Sequence, residues 1–584
     1  MGFLPALDSP GILALHRPSG AGTRAYVLPD NTGVIFGSLF SAQTDRPPQA
    51  IDRLPKSVDG PLLHATRGRY LVDNYWGHYA AFFSHRASGT EYAMRDCSGK
   101  VPCMRAEANG VQVCFSYFED ALSLGILPPL RINERLLSAY LCCTEPHTND
   151  CGFEQVTQLL AGETVGSTRG ERTNWFSWNP REICGSDPIR DESYAKLELR
   201  RLTQWCVDAH ALRDRSVILN LSGGFDSAVL LGCLQRTPHA PALMCMTRYS
   251  SGPGEDERAY ARLAASEASV GLVERDWRDA GVAYDARLFD SPTLARPSLH
   301  ILSFLDHRYR SRTAAELGAT SIWNGEGGDH LFIRGLAVPF SADYASDHGI
   351  NVDVMRYVAK NARYSGISYW ESLRQTFSSS RTAAAYAGNP LNTPDDGVFV
   401  SRAVASGATR RDIAHPWCLD LSNVPKGKQW QIQEMAELLN RGPTMIVREV
   451  HENPPLLSQP LMSLSLRIPT YILLKDGLHR GLARDAFSDL VPQPIRDRES
   501  KGNTNSVVGR LLSENRIYIR ELLLDGLLAR RQLIARDTLD RATSPGKPLA
   551  LRHMFPLMST LAAEIWLRKA EQICHRPALK AVGM

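Results

Sequence analysis

No Cys-x-x-Cys pair occurs in this sequence, and no histidine stands at zinc-finger spacing, so a structural zinc site of the usual kind is excluded. The twelve cysteines are scattered. Cys233 and Cys245 lie in apolar runs, where cysteine is a small buried hydrophobe. A reduced, cytoplasmic setting is the expectation. No run of about eighteen apolar residues exists, so no membrane span is expected. Nor does a basic segment followed by an apolar core open the chain, so no signal peptide is expected. Excess charge is missing as well. The balance of 66 Lys and Arg against 62 Asp and Glu leaves +4 over 584 residues. That balance gives no electrostatic reason to expect nucleic acid or a membrane surface as a partner.

What remains is ordinary globular material, 43% apolar and 22% charged, long enough for two to four domains. Its most informative stretch runs from Val217 to Ser227. An apolar run ends in Ser222-Gly223-Gly224-Phe225-Asp226-Ser227, and the amphipathic run Ala228 to Leu234 follows. The pattern predicts a buried strand, a tight glycine turn and a helix starting at the turn. Gly223 and Gly224 let backbone N–H groups approach a ligand, and the helix start adds unpaired donors and a positive dipole end. Such a corner suits a phosphate. Asp226 would repel it alone, so it is read as a magnesium ligand beside the phosphates. The pattern is not the Walker loop. Ser-Gly-Gly-x-Asp-Ser resembles the pyrophosphate loop of enzymes that split ATP between its α- and β-phosphates.

Residues 1–185 carry short β-type runs separated by turn residues, among them 26–28, 33–37, 79–83, 92–94 and 111–116, with a helical run over 133–142. They predict an α+β domain with antiparallel sheets. From 186 onward strand and helix alternate. An amphipathic helix over 194–212, strands at 217–221, 242–246, 271–274 and 320–323, and helices near 255–263 and 311–317 predict a doubly wound parallel sheet. Ligands bind at the carboxyl ends of strands in such sheets. Residues 338–445 are poorly patterned and read as helices joined by long mobile loops, a possible cover for the site.

Several stretches in order resemble the asparagine synthetase superfamily. Tyr75-Trp76-Gly77-His78-Tyr79-Ala80, Arg95-Asp96-Cys97-Ser98-Gly99-Lys100-Val101-Pro102, Leu160-Ala161-Gly162-Glu163 and Trp178-Asn179-Pro180 look like its N-terminal glutaminase domain. Gly325-Glu326-Gly327-Gly328-Asp329 and Pro494-Ile495-Arg496-Asp497-Arg498-Glu499-Ser500-Lys501-Gly502 look like its synthetase domain. The resemblance implies an α+β, glutaminase-like (Ntn-type) sandwich domain over 1–185. It implies an α/β doubly wound, parallel-sheet ATP-pyrophosphatase (synthetase) domain with a helical C-terminal part over 186–584.

It also implies roles. Ser222, Gly223, Gly224, Asp226, Ser227 and Gly325 would hold ATP. Asp226 and Asp329 would hold Mg2+. Glu326 would face the α-phosphate or the incoming nucleophile. Lys501 would stabilise the charge that builds in acyl transfer. Glu449 or Glu452, of which Glu452 is preferred, would take the amine's proton. Where relatives often have Glu after the Asp, this chain has His330. Arg480, Arg484 and Arg498 are read as helix-surface ion pairs, with pyrophosphate binding as the alternative.

A glutaminase of this kind uses an N-terminal cysteine as nucleophile. The chain opens Met1-Gly2-Phe3, so the first domain is expected to be a scaffold and the amine to arrive on the substrate. The stretches Leu456–Leu461, Ile468–Tyr471 and Ala486-Phe487 look most like the lasso peptide cyclases. The expected activity is an ATP-dependent macrolactam synthetase acting on a precursor peptide, with a leader peptidase and a leader-binding protein as partners. The alternatives are a β-lactam synthetase, an asparagine synthetase fed by free ammonia, and an inactive peptide-binding paralogue.

Overall fold

The computed structural model describes residues 2–17, 24–250, 252, 256–335, 338–377, 399–407, 409–440, 450–498, 502, 505–546 and 548–575. Up to residue 176 its strands are β1 Leu4–Ser9, β2 Ile12–His16, β3 Arg24–Val27, β4 Gly33–Ser41, β5 Tyr75–His85, β6 Thr90–Arg95, β7 Met104–Ala108, β8 Val111–Phe115, β9 Val156–Gln158, β10 Glu163–Thr168 and β11 Glu171–Phe176. A six-stranded sheet takes the order β11-β10-β6-β5-β4-β3, a three-stranded one the order β8-β7-β9, and β1 and β2 form a hairpin. Every pairing among them is antiparallel. The helix predicted near 133 is α1, Glu134–Cys143, with the Asn133 side chain capping it at the Leu136 N–H.

A long helix, α2 (Glu192–Ala211), leads into a second sheet. Its strands are β12 Ser216–Asn220, β13 Ala242–Tyr249, β14 Leu272–Asp276, β15 Ser321–Trp323 and β16 His451–Asn453. Their order is β14-β13-β12-β15-β16, all parallel. Helices α3 (Phe225–Leu234), α4 (Arg258–Glu267) and α5 (His300–Glu316) make the crossovers. Val217, Ile218 and Leu219 are buried on both faces of β12, as a central parallel strand requires. Burying each such side chain stabilises the fold by about 1.5–3 kcal/mol. The chain leaves β12 towards β13 and β14, then returns to the other side of β12 as β15. The order therefore reverses between β12 and β15, and the crevice lies at their carboxyl ends.

After α6 (Gly328–Leu331) come the helices Val338–His348, Val352–Ser365 and Tyr369–Phe377, and then α7 (Lys426–Asn440). Of the helices and loops expected over 338–445, residues 378–398, 408 and 441–445 lie outside the described residues. Helices α8 (Gln459–Arg467), α9 (Gly481–Ala486) and α10 (Leu551–Cys574) belong to the helical C-terminal part. One apolar core runs from Tyr26, Trp76 and Phe83 in the antiparallel sheet through Trp205 to Leu219, Trp323 and Phe487. A second joins α1 to α10 through Phe153 and Trp566. All twelve cysteines are unpaired thiols, and Cys233 and Cys245 are buried as expected. Among the described residues no helix is long and apolar enough to cross a membrane.

Burial leaves several imidazoles reluctant to take a proton. It pushes His210 and His307 down to about 3, and His78 and His415 well below their ordinary 6.5. A group depressed in the fold contributes stability above the unfolded value and loses it as pH falls. Asp96 and Asp343, raised by burial to about 6, act in the opposite sense and gain on acidification below 6. The histidines outnumber them and start from a larger displacement. At pH 5, His210 and His307 each cost about 2 kcal/mol relative to neutral pH. The melting temperature is therefore expected to fall between pH 7.5 and 5 in a thermal melt. An unchanged or higher value at pH 5 would contradict this.

Candidate active site

The strand–turn–helix corner predicted at 217–234 is β12, the turn and α3. Gly223 takes a positive φ of 76°. A Cβ there would meet the Glu257 carbonyl oxygen at 2.8 Å, so the turn needs glycine for conformation and for space. Gly224 caps α3 in extended conformation, with no side-chain cap bond. The hydroxyls turn inward: Ser227 Oγ donates to the Gly224 carbonyl at 3.0 Å and accepts from the Ser222 N–H at 3.3 Å. Ser222 Oγ lies 3.3 Å from Ser227 Oγ. The N–H groups at the start of α3 stay open to a phosphate.

The second corner follows β15 and packs against the first. A Cβ on Gly325 would meet the Ser227 nitrogen at 2.9 Å, and one on Gly328 would meet Asp226 Cγ at 2.4 Å. Gly327, with φ 96°, leaves the space that Leu457 fills. These glycines thus hold the two corners in contact.

Between the corners stands Arg480. Its Nη2 donates to Asp226 Oδ2 at 2.7 Å and also to Asp329. It is 5% exposed and takes a left-handed φ of 56° at the start of α9. The helix-surface reading of Arg480 is therefore corrected: the residue is buried and bonds both candidate magnesium ligands. Asp226 Oδ1 is buried with no hydrogen-bond partner, and a guanidinium bridges the two carboxylates, so the pair is built to hold a cation. Among the described residues no three His, Cys, Asp or Glu side chains gather as a metal cluster. Two carboxylates completed by phosphate oxygens suit magnesium.

A line of acids borders the corner. The Glu326 N–H donates to Asn324 Oδ1 at 3.0 Å, and Asn324 Nδ2 donates to Glu452 Oε1 at 2.9 Å. Glu452 sits on β16 and also receives Arg310 Nη1 at 3.5 Å. Burial raises Asp306 behind it, but Arg248 and Arg310 outweigh burial and hold its carboxyl below its ordinary range. Glu326 carries a contact that the sequence reading missed: Lys100 Nζ, from the loop after β6, donates to Glu326 Oε2 at 2.5 Å.

Arg498 and Gly502 close the other side. The Arg498 guanidinium and, at 2.5 Å, the Gly502 N–H both donate to Glu257 Oε1, next to Gly223. Arg498 also stacks 4.2 Å from the centre of the Tyr260 ring. Lys501 and Glu449 lie outside the described residues. Arg484 faces inward too, donating to the Arg496 and Arg498 carbonyls and so fixing the segment that leads to position 501. A cavity of about 580 Å³ opens beside it, lined by Tyr364, Lys475, His479 and Arg496.

No curated protein matches this chain. Solved structures with local similarity include an NH3-dependent NAD synthetase from Campylobacter jejuni subsp. jejuni NCTC 11168 in complex with the nitrate ion. It is 13% identical, with 37% of this chain and 91% of that one covered and a TM-score of 0.18. A glutamine-dependent NAD+ synthetase from Acinetobacter baumannii in complex with ADP is 12% identical, with 53% and 67% covered and a TM-score of 0.17. Overlaps this slight carry no argument. The family comparison does: residues 198–568, well over half of the chain, match asparagine synthase, and that span contains both glycine corners, Glu452 and Arg498 to Gly502. The chain belongs to the asparagine synthase family and is an ATP-dependent amide ligase.

Proposed function

We propose that the enzyme joins a side-chain carboxylate of a peptide to that peptide's own N-terminal amine, as the lasso peptide cyclases do. Residues 1–185 serve as a glutaminase-like domain without ammonia release, and 186–584 as the synthetase domain. The observation that carries the chemistry is the meeting of the two corners. Asp226 and Asp329 share one cationic centre, and Glu326 and Glu452 are joined through Asn324 beside it. For an amine that arrives on the substrate, the support is Cys97, on the turn that resembles the glutaminase domain. It is 2% exposed, and burial pushes its thiol well above the ordinary range, the wrong direction for a nucleophile. The stretches that resemble the cyclases, Leu456–Leu461, Ile468–Tyr471 and Ala486-Phe487, form buried packing behind the site.

The N–H groups after Ser222, with Ser222 and Ser227, receive the β- and γ-phosphates of ATP. Asp226 and Asp329 would hold magnesium, which when bound neutralises phosphate charge. A carboxylate oxygen of the peptide attacks the α-phosphorus, and pyrophosphate leaves. The amine nitrogen then attacks the acyl carbon, its proton passes to Glu452 or Glu326, and AMP leaves. The lysine at position 501 stabilises the oxyanion. Holding both ends of one peptide in one pocket makes the second step intramolecular. The precursor peptide is the substrate, and a leader peptidase and a leader-binding protein are the expected partners.

ATP–pyrophosphate exchange tests this reading. Exchange is expected with a peptide that carries one internal Asp or Glu, and it should persist when that peptide's amine is acetylated, because activation precedes attack. Exchange with free aspartate and none with the peptide would sink it.

A further inference from the structure

The turn from Arg95 to Lys100 is more rigid than a surface loop needs to be. Arg95 is buried and donates to the Val101 carbonyl at 2.9 Å, to the Leu159 carbonyl at 2.7 Å and to the Gly99 carbonyl. Asp96 is buried and accepts from the Tyr79 N–H at 3.0 Å and the Ser98 N–H at 2.6 Å. Ser98 Oγ in turn meets His78 Nδ1 at 2.8 Å. Gly99 has φ 63°, and a Cβ on it would meet the Leu439 carbonyl oxygen of α7 at 2.5 Å. The Ala161 N–H, near this turn, donates to Asn440 Oδ1 at 3.1 Å. The turn is thus locked from within and pressed against the helices around the parallel sheet. Lys100 extends from it to Glu326, and both side chains are largely shielded, 15% and 21% exposed.

We propose that Lys100 is a positioning residue of the ligase site, supplied by the antiparallel part of the chain. It holds the carboxylate of Glu326 in one rotamer; the backbone N–H of the same residue donates to Asn324, which donates in turn to Glu452. A cation fixed on a rigid turn orients a carboxylate at less entropic cost than a free side chain would. This gives the N-terminal part a function that needs no nucleophile: through Lys100 it fixes a carboxylate of the amide-forming site.

The inference rests on Glu326 acting in that step, and the test separates the two. The full-length enzyme, Lys100→Met, Lys100→Arg, Glu326→Gln and the double variant Lys100→Met/Glu326→Gln are assayed with ATP and a peptide bearing a free amine and one Asp or Glu. Melting temperature, kcat and KM for ATP are read for each. Lys100→Met is expected to lower kcat roughly tenfold to hundredfold with KM for ATP unchanged. Lys100→Arg should recover most of the loss, and the double variant should be no slower than Glu326→Gln alone. A Lys100→Met enzyme that loses melting temperature but keeps kcat overturns the proposal, as do losses that multiply in the double variant. Full activity of Glu326→Gln, or an inert wild type, overturns the reading of Glu326 and the inference with it.

Discussion

Asp226→Asn is expected to lower ATP–pyrophosphate exchange by about a thousandfold while leaving the protein folded. The side chain is buried, one oxygen bonds Arg480 and the other has no partner. Asparagine keeps the shape and an acceptor but removes the charge that would hold a metal ion beside the phosphates. Asp329 alone, on a separate corner, cannot fix the ion. Alanine is the less informative change. It leaves a buried guanidinium short of one carboxylate, and breaking such a pair costs about 3–5 kcal/mol. A melt of Asp226→Asn within a few degrees of the wild type, with exchange lost, identifies the defect as chemical. Exchange within about threefold of the wild type would mean that Asp226 has no part in activation.

Lys501→Ala is expected to separate the two half-reactions. Amide formation should fall by about 10²–10³, the usual cost of removing a group that stabilises an oxyanion, while exchange stays within about threefold. Position 501 lies between two residues fastened to one carboxylate. Arg498 and Gly502 both bond Glu257, and the backbone of Glu257 abuts Gly223 of the phosphate turn. Rapid-quench assays of acyl-adenylate formation and of its consumption would measure each step. Survival of both steps in the variant would remove Lys501 from the mechanism.

The corners were legible in the sequence because their causes are local. An apolar run ending in Gly223-Gly224 dictates strand, turn and helix within about ten residues, and those elements form as predicted, as does the strand at 320–323 that leads into the second corner. Their meeting follows from the reversal of strand order between β12 and β15, which no single window contains. Arg480 was misjudged for the same reason. Its partners lie 254 and 151 residues away, and a His-Arg-Gly stretch beside a helix looks like ordinary helix surface. Lys100 reaches across 226 residues to Glu326. Its turn could be read as a motif, but where the motif points depends on how the antiparallel sheet packs against α7 and α8. Glu452 was placed by the order of motifs, and the structure brings it to Asn324 because β16 pairs with β15 in parallel register.

The most direct test of the account is the mass of a peptide after incubation with the enzyme, ATP and magnesium. The peptide should carry a free N-terminal amine and one internal Asp or Glu. Loss of one water from the peptide, with one AMP and one pyrophosphate released per ring, is the predicted result. An unchanged peptide mass alongside conversion of free aspartate to asparagine with ammonia would contradict it.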